Sequence, residues 1–193
     1  MSPRKILILD GHPDGDPARF VHALAQAYAQ AGQAAGHTIR LVQLSAIDFP
    51  LVRSPTDWLE GEPPASIAAV QADIVWAEHL VILYPLWLGD VPALLKGLLE
   101  QVLRPGYAFE QRSGGLPAKL LKGRSARVVV TMGMPALFYR FVFSAHSLKS
   151  LERNILKFVG FAPVDHDLFG EVHDPAERAT ALAVMRELGK RGD

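Results

Sequence analysis

Short β-branched apolar runs alternating with helix-period segments constrain this chain more than any other feature. Lys5–Asp10 (KILILD) is apolar without alternation, the pattern of a strand buried on both faces. It enters the turn-like stretch GHPDGDP, where Asp16 and Pro17 read as N-cap and first residue of a helix of about 18 residues by the 3.6-residue period. Phe20, Val21, Leu24, Ala25 and Tyr28 supply its apolar stripe, Gly36 closes it, and Thr38–Leu44 alternates as a second strand. Phe49–Pro64, proline-rich and carrying Trp58, reads as an irregular surface arm. Then come a helix over Ser66–Ala77, a buried strand Leu80–Tyr84, a helix Val91–Leu103, a buried strand Arg127–Met132, a helix Ser147–Val159, a short strand Val164–Leu168 and a helix Pro175–Gly189. Strands separated by helices pair in parallel, because each crossover must pack its apolar stripe back on the sheet. The expectation is an α/β fold with a five-stranded parallel sheet, helices on both faces, and 193 residues in a single domain.

In such sheets ligands sit at the carboxyl ends of the strands, which directs attention to the loops after the first, third and fourth strands. The first loop, 11–17, ends at a helix start, where free N–H groups and the helix dipole attract phosphate. His12 could donate to a phosphate and Arg19 pair with one. Equally, Asp16 could be a cap, His12 a turn-ordering residue and Arg19 a solvated side chain. The loop has neither G-x-G-x-x-G nor a Walker A sequence, and a metal site from His12, Asp14 and Asp16 matches no established ligand spacing. The loop after the third strand, from Tyr84 through Pro85, Leu86, Trp87, Leu88 and Gly89, offers apolar surface and backbone polar groups, as a flavin ring requires. A tryptophan in such a position can equally belong to the core.

Composition narrows the classes. Twenty basic residues against twenty acidic ones give no net field for nucleic acid and disfavour an acidic electron carrier. There are no cysteines, so disulfides, thiolate nucleophiles and zinc–cysteine sites are excluded. No run approaches the roughly 20 apolar residues that span a bilayer, and no secretory leader is visible, so membrane insertion is not expected and the cytoplasm is the expected compartment.

The string YPLWLGDVPALLKGLLEQVLRPGYAF resembles the signature of the flavodoxin-like NAD(P)H:quinone oxidoreductases, the DT-diaphorase family. LILDGHP resembles that family's first phosphate loop, and Val129–Gly133 its second flavin loop; the three matches lie in the family's order. The resemblance implies a flavodoxin-like doubly wound sheet of order 2-1-3-4-5. It implies that the flavin phosphate rests on His12, Asp16, Arg19 and Phe20, and that the ring lies on Pro85, Leu86, Trp87, Leu88 and Gly89. Thr131, Met132, Gly133 and Met134 would add ring contacts, although the family's Thr-Gly-Gly is Met132-Gly133-Met134 here and its Ser-Phe-Asn after the first loop is absent. Tyr139 and His146 resemble a tyrosine–histidine pair that assists hydride transfer, where a donor near the reduced ring lowers the barrier. Alternatively Leu137–Phe143 is aromatic packing at a core or subunit contact. His173–Arg178 resembles a segment touching the adenosine half of FAD, which favours FAD with FMN as the alternative; the same residues also read as a helix start with Asp174 as cap.

The resemblance thus implies a homodimeric flavoenzyme passing hydride from NADH or NADPH to a quinone or similar acceptor in a ping-pong cycle. An azo- or nitroreductase on the same flavin is the alternative within enzymes. A regulatory flavoprotein subunit of a potassium efflux system is the alternative outside them. A one-electron flavodoxin is disfavoured by the balanced charge and the Tyr139/His146 segment.

Overall fold

The computed structural model describes residues 2–112 and 114–193. Along the chain run β1 (Lys5–Asp10), α1 (Phe20–Ala34), β2 (Thr38–Gln43), α2 (Pro55–Glu60), α3 (Ala65–Trp76), β3 (His79–Pro85), α4 (Ala93–Val102), β4 (Phe109–Glu110) and β5 (Ala118–Lys119). There follow β6 (Ser125–Thr131), α5 (Ala136–Phe141), α6 (His146–Ser150), α7 (Lys157–Val159), β7 (Val164–Phe169) and α8 (Pro175–Arg191). β1, β2, β3, β6 and β7 pair in parallel in the order β2-β1-β3-β6-β7. In chain numbering this is not the consecutive 2-1-3-4-5, because a two-stranded antiparallel ribbon, β4 with β5, intervenes between β3 and β6. Two residues per strand are too few to leave a periodic signal.

Strand alternation divides the interior into two cores. Ile6, Ile8, Val81, Leu83 and Val129 pack with Val21, Leu24 and Tyr28 of α1 and Met185 and Leu188 of α8. Their neighbours Leu7, Leu9, Leu80, Ile82, Val128 and Val130 pack with Ile67 and Val70 of α3, Leu95, Leu98 and Leu99 of α4, and Leu148 and Leu151. Each such buried aliphatic side chain stabilises the fold by roughly 1.5–3 kcal/mol. α1 and α8 meet backbone to backbone: a Cβ on Gly189 would stand 2.3 Å from the Tyr28 carbonyl oxygen.

Three local expectations are corrected. Asp16 does not cap α1; it accepts the Ala18 N–H, its carbonyl takes the Arg19 N–H, and the helix begins only at Phe20 and runs for 15 residues to Ala34. The arm contains a helix, α2, because Ser54 accepts the Asp57 N–H and Pro55 pre-sets the first turn. Its Trp58 packs on Phe109, and buried Arg104 pins the arm through the Asp57 and Gly61 carbonyls. The helix expected over 147–159 is present but changes to π-helical hydrogen bonding over Leu151–Leu156, and it is entered through Ser144 and Ala145 at φ +54° and +47°.

At the opposite end of the sheet from the loops of interest, Arg4 donates to the Gly192 carbonyl at 2.6 Å and to Ser125 Oγ at 2.8 Å. That hydroxyl lies 2.7 Å from His79 Nδ1. Burial, then the charges of Arg4 and Arg127, push the His79 pKa down to about 3. The imidazole is therefore neutral in the folded chain and takes a proton on unfolding at any pH between about 3 and its ordinary 6.5. Stability should fall as pH is lowered through this window, by up to about 1.4 kcal/mol per pH unit. Urea unfolding between about pH 6.5 and pH 5, above the range where carboxylates titrate, measures the slope, and His79→Gln should flatten it.

Candidate functional site

The carboxyl ends of β1, β3 and β6 lie side by side, with Asp10 opposite Leu83 and Pro85 opposite Thr131. Backbone bonds continue the ladders past the strand ends. The Gly11 N–H donates to the Leu83 carbonyl at 2.7 Å, and the Leu86 N–H donates to the Thr131 carbonyl at 2.8 Å. The three loops therefore leave the sheet at one level and converge. Gly11 is required for this closeness, since a Cβ there would stand 2.8 Å from the Leu83 oxygen. The His12 ring meets the Trp87 indole edge-on at 5.7 Å, joining the first loop to the middle one.

The first loop is organised by two residues that the sequence reasoning missed, Asp10 and His22. Asp10, 1% exposed, accepts the His12 N–H at 3.2 Å through Oδ1, while its Oδ2 lies 2.5 Å from His22 Nδ1. His22 Nε2 lies 2.9 Å from the Asp14 carbonyl oxygen. The Asp14 N–H donates to His12 Nδ1 at 3.1 Å, which places the ring proton of neutral His12 on Nε2. Burial, then the neighbouring His22, lowers the His12 pKa. For His22 burial is the largest influence and acts downward, but the Asp10 carboxylate and the Asp14 carbonyl outweigh it and its pKa is raised. Both residues had a signal in the sequence: an acid ending an apolar strand, and a histidine on the apolar face of FVHAL.

Arg19 occupies the residue before α1, with its Nε and Nη2 on the Asp14 carboxylate at 2.7 and 2.6 Å and Nη2 3.4 Å from Asp16. The Asp16 N–H, then Arg19, lowers the Asp14 pKa. Arg19 thus closes on Asp14 and Asp16 with its side chain still 47% exposed. Phe20 is buried in the sheet-facing core, and Arg178 of α8 covers its ring at 4.2 Å.

The middle loop is a tight turn. Trp87 and Asp90 exchange backbone hydrogen bonds at 3.0 and 2.9 Å, with Leu88 and Gly89 at φ +52° and +81° between them. Left-handed backbone at a leucine costs roughly 1–2 kcal/mol, yet the Leu88 side chain is wholly in solvent and Trp87 is 47% exposed. Pro85 and Leu86 are half-buried beneath them. On the α4 side a cleft of about 470 Å³ is walled by Trp87, Val91, Pro92, Lys96, Ser147 and Leu151.

Beyond β6, Thr131 and Met132 are buried, Gly133 is exposed beside His173, and Met134 is half-buried with its carbonyl accepting the Glu171 N–H at 3.1 Å. Met132 belongs to the core on the α4 face. Of Tyr139 and His146, the first is buried and the second exposed. Tyr139 is 1% exposed, its hydroxyl lies 2.7 Å from Ser147 Oγ and it accepts the Leu148 N–H at 3.2 Å, so it ties α5 to α6. His146 remains at the surface and lines a cleft with Gly89 and Asp90. In the last segment Asp174 accepts the Ala176 N–H as the cap of α8, and Arg178 is committed to Phe20. Tyr139→Phe should therefore lower the unfolding free energy by about 1 kcal/mol in urea and leave the reduction kinetics of a bound flavin unchanged in stopped flow.

A family model described as a flavodoxin-like fold matches residues 4–190. A Haemophilus influenzae protein named as an uncharacterized NAD(P)H oxidoreductase is 28% identical over 180 residues, covering 90% of this chain and 88% of the relative. An FMN-dependent NADH:quinone oxidoreductase of Ruegeria pomeroyi is 26% identical over 67% of this chain and 71% of its own. Among solved structures, an NAD(P)H:quinone oxidoreductase from Methanothermobacter marburgensis superposes with a TM-score of 0.82 at 24% identity over the whole of both chains. An FMN-dependent NADH-azoreductase from Bacillus anthracis, in complex with FMN, gives 0.76 at 19% identity over 97% of this chain and 98% of that one.

Proposed function

This chain belongs to the flavodoxin-like fold family, and from that premise we propose that it is an FMN-dependent oxidoreductase carrying hydride from NAD(P)H to a quinone or similar acceptor. The observation that carries this reading is the convergence of the loops after β1, β3 and β6, with His12 edge-on to a half-exposed Trp87. The residues present fit a flavin mononucleotide. α1 has no side-chain cap, so its first N–H groups are available to a phosphate, and His12 holds an Nε2–H donor beside them. Trp87 offers an exposed aromatic face, and the strained Leu88 turn holds apolar surface in solvent that a ring would cover.

Bound FMN would supply the two-electron chemistry, accepting hydride from the nicotinamide and delivering it to the acceptor. The chain supplies the seat: His12 and the start of α1 for the phosphate; Pro85, Leu86, Trp87, Leu88 and Gly89 for the ring; exposed Gly133 on the β6 side. Exposed His146, next to Gly89 and Asp90, is the side chain we assign to proton donation near the ring edge. FMN replaces FAD as the expected cofactor. Relatives are named FMN-dependent, and Asp174 caps α8 while Arg178 covers Phe20.

Azo compounds are the second acceptor class, on the likeness to an FMN-dependent NADH-azoreductase, since one fold hosts more than one chemistry. We read residues 1–193 as one doubly wound flavin-binding domain, acting in the cytoplasm as a homodimer. Exposed Leu137, Phe138, Phe141, Val142 and Phe143 support the homodimer as a contiguous apolar surface of the kind subunits cover. Among the described residues no helix is long and apolar enough to cross a membrane.

The purified protein should be yellow, release FMN on heating, and oxidise NADPH faster when a simple quinone is added. A colourless protein that binds neither FMN nor FAD would overturn the assignment. Trp87→Ala should weaken FMN binding by roughly tenfold, about 1.4 kcal/mol, measured by fluorescence quenching of the free flavin.

A further inference from the structure

We propose that His22 is the positioning residue of the first loop, held as an imidazolium between the Asp10 carboxylate and the Asp14 carbonyl, and that this charge fixes the loop around the cofactor's phosphate. The inference rests on the first loop being the phosphate seat. Its ground is geometric. A carboxylate and a carbonyl oxygen can only accept, so with Nδ1 2.5 Å from Asp10 Oδ2 and Nε2 2.9 Å from the Asp14 oxygen, both ring nitrogens must donate. Only the doubly protonated ring does this, and the upward shift of its pKa agrees.

The consequence reaches the seat through two connections. His22 lies on α1 and grips Asp10 at the strand end and Asp14 within the loop, so it spans the segment that carries His12. Asp14 in turn sets the His12 tautomer by donating to Nδ1, which turns the His12 Nε2–H into the available donor. The ionisable groups around His22 are Asp10 from β1, His12 and Asp14 from the loop, and Arg19 and Asp16 beyond them. Three carboxylates face one guanidinium already closed on two of them, so His22 is the second cation of the loop. Arg178 of α8 stands on Phe20 and not on His22.

As pH rises through the raised pKa of His22, Asp10 retains the Nδ1 proton and Nε2 loses its own. An Nε2 lone pair then faces the Asp14 carbonyl oxygen, the grip on residue 14 is lost, and phosphate affinity should fall. Titration of the phosphate itself, with a second pKa near 6, would act oppositely by adding charge to the ligand as pH rises.

The test has two arms. Long-range proton–nitrogen NMR of the flavin-free protein at pH 7 should show both His22 nitrogens protonated; a neutral ring overturns the proposal without reference to any cofactor. Affinities for FMN and riboflavin are then compared from pH 6 to 9 in the native chain, His22→Gln and Asp10→Asn. The preference for FMN over riboflavin should decline at alkaline pH in the native chain and fall at least about tenfold in His22→Gln, with riboflavin binding little changed. Asp10→Asn should move the decline to lower pH. A full FMN preference in His22→Gln overturns the role of His22, whereas equal affinity for FMN and riboflavin in the native chain overturns the phosphate seat and the proposal with it.

Discussion

Parallel pairing of β1, β3 and β6 in one register is the constraint on which the rest of the molecule depends. Each strand is buried on both faces, so a slip of one residue would exchange the aliphatic sets of the two cores. The register that satisfies both cores also brings Asp10, Leu83 and Thr131 to the same rim. The bonds from Gly11 to Leu83 and from Leu86 to Thr131 extend that register into the loops, so the rim is as firmly determined as the sheet. A site of the kind proposed, assembled from three separate loops, needs this kind of support to hold the loops in place relative to one another.

On that rim the polar groups form a closed set. Burying a carboxylate without a partner is costly, and Asp10 avoids this by bonding both the His12 amide and the His22 ring. Arg19 draws Asp14 and Asp16 together outside it. The result is a first loop whose fixed charges satisfy one another, beside a His12 whose pKa burial lowers and a start of α1 that no side chain caps. The middle loop works in the other direction: Leu88 sits in left-handed backbone with its side chain in water, two local costs that stability alone would not retain.

The order of elements, the three loops and the family were legible because long apolar strands and helix-period stripes dominate local preference, and because YPLWLGDVPALLKG and LILDGHP are long enough to be specific. Less legible were features set by few residues. β4 and β5 are two residues each, α2 hides among prolines behind one serine cap, and the π-turn at Leu151–Leu156 leaves the helical spacing of 147–159 nearly intact. The charge of Arg19 is visible in the sequence, while its engagement with Asp14 and Asp16 is a matter of three-dimensional distance.

By itself, then, the sequence determined which segments are strands, that they pair in parallel, and which loops leave their carboxyl ends, since all of this follows from periodicity and from the apolar runs. Only the tertiary structure decided that Tyr139 ties α5 to α6, that Met132 belongs to the core, and that Asp10 and His22, 12 positions apart, form one buried pair. The physical reason is that a side chain's role is set by the partner its polar atoms reach, and those partners come from elements that meet only when the sheet has closed.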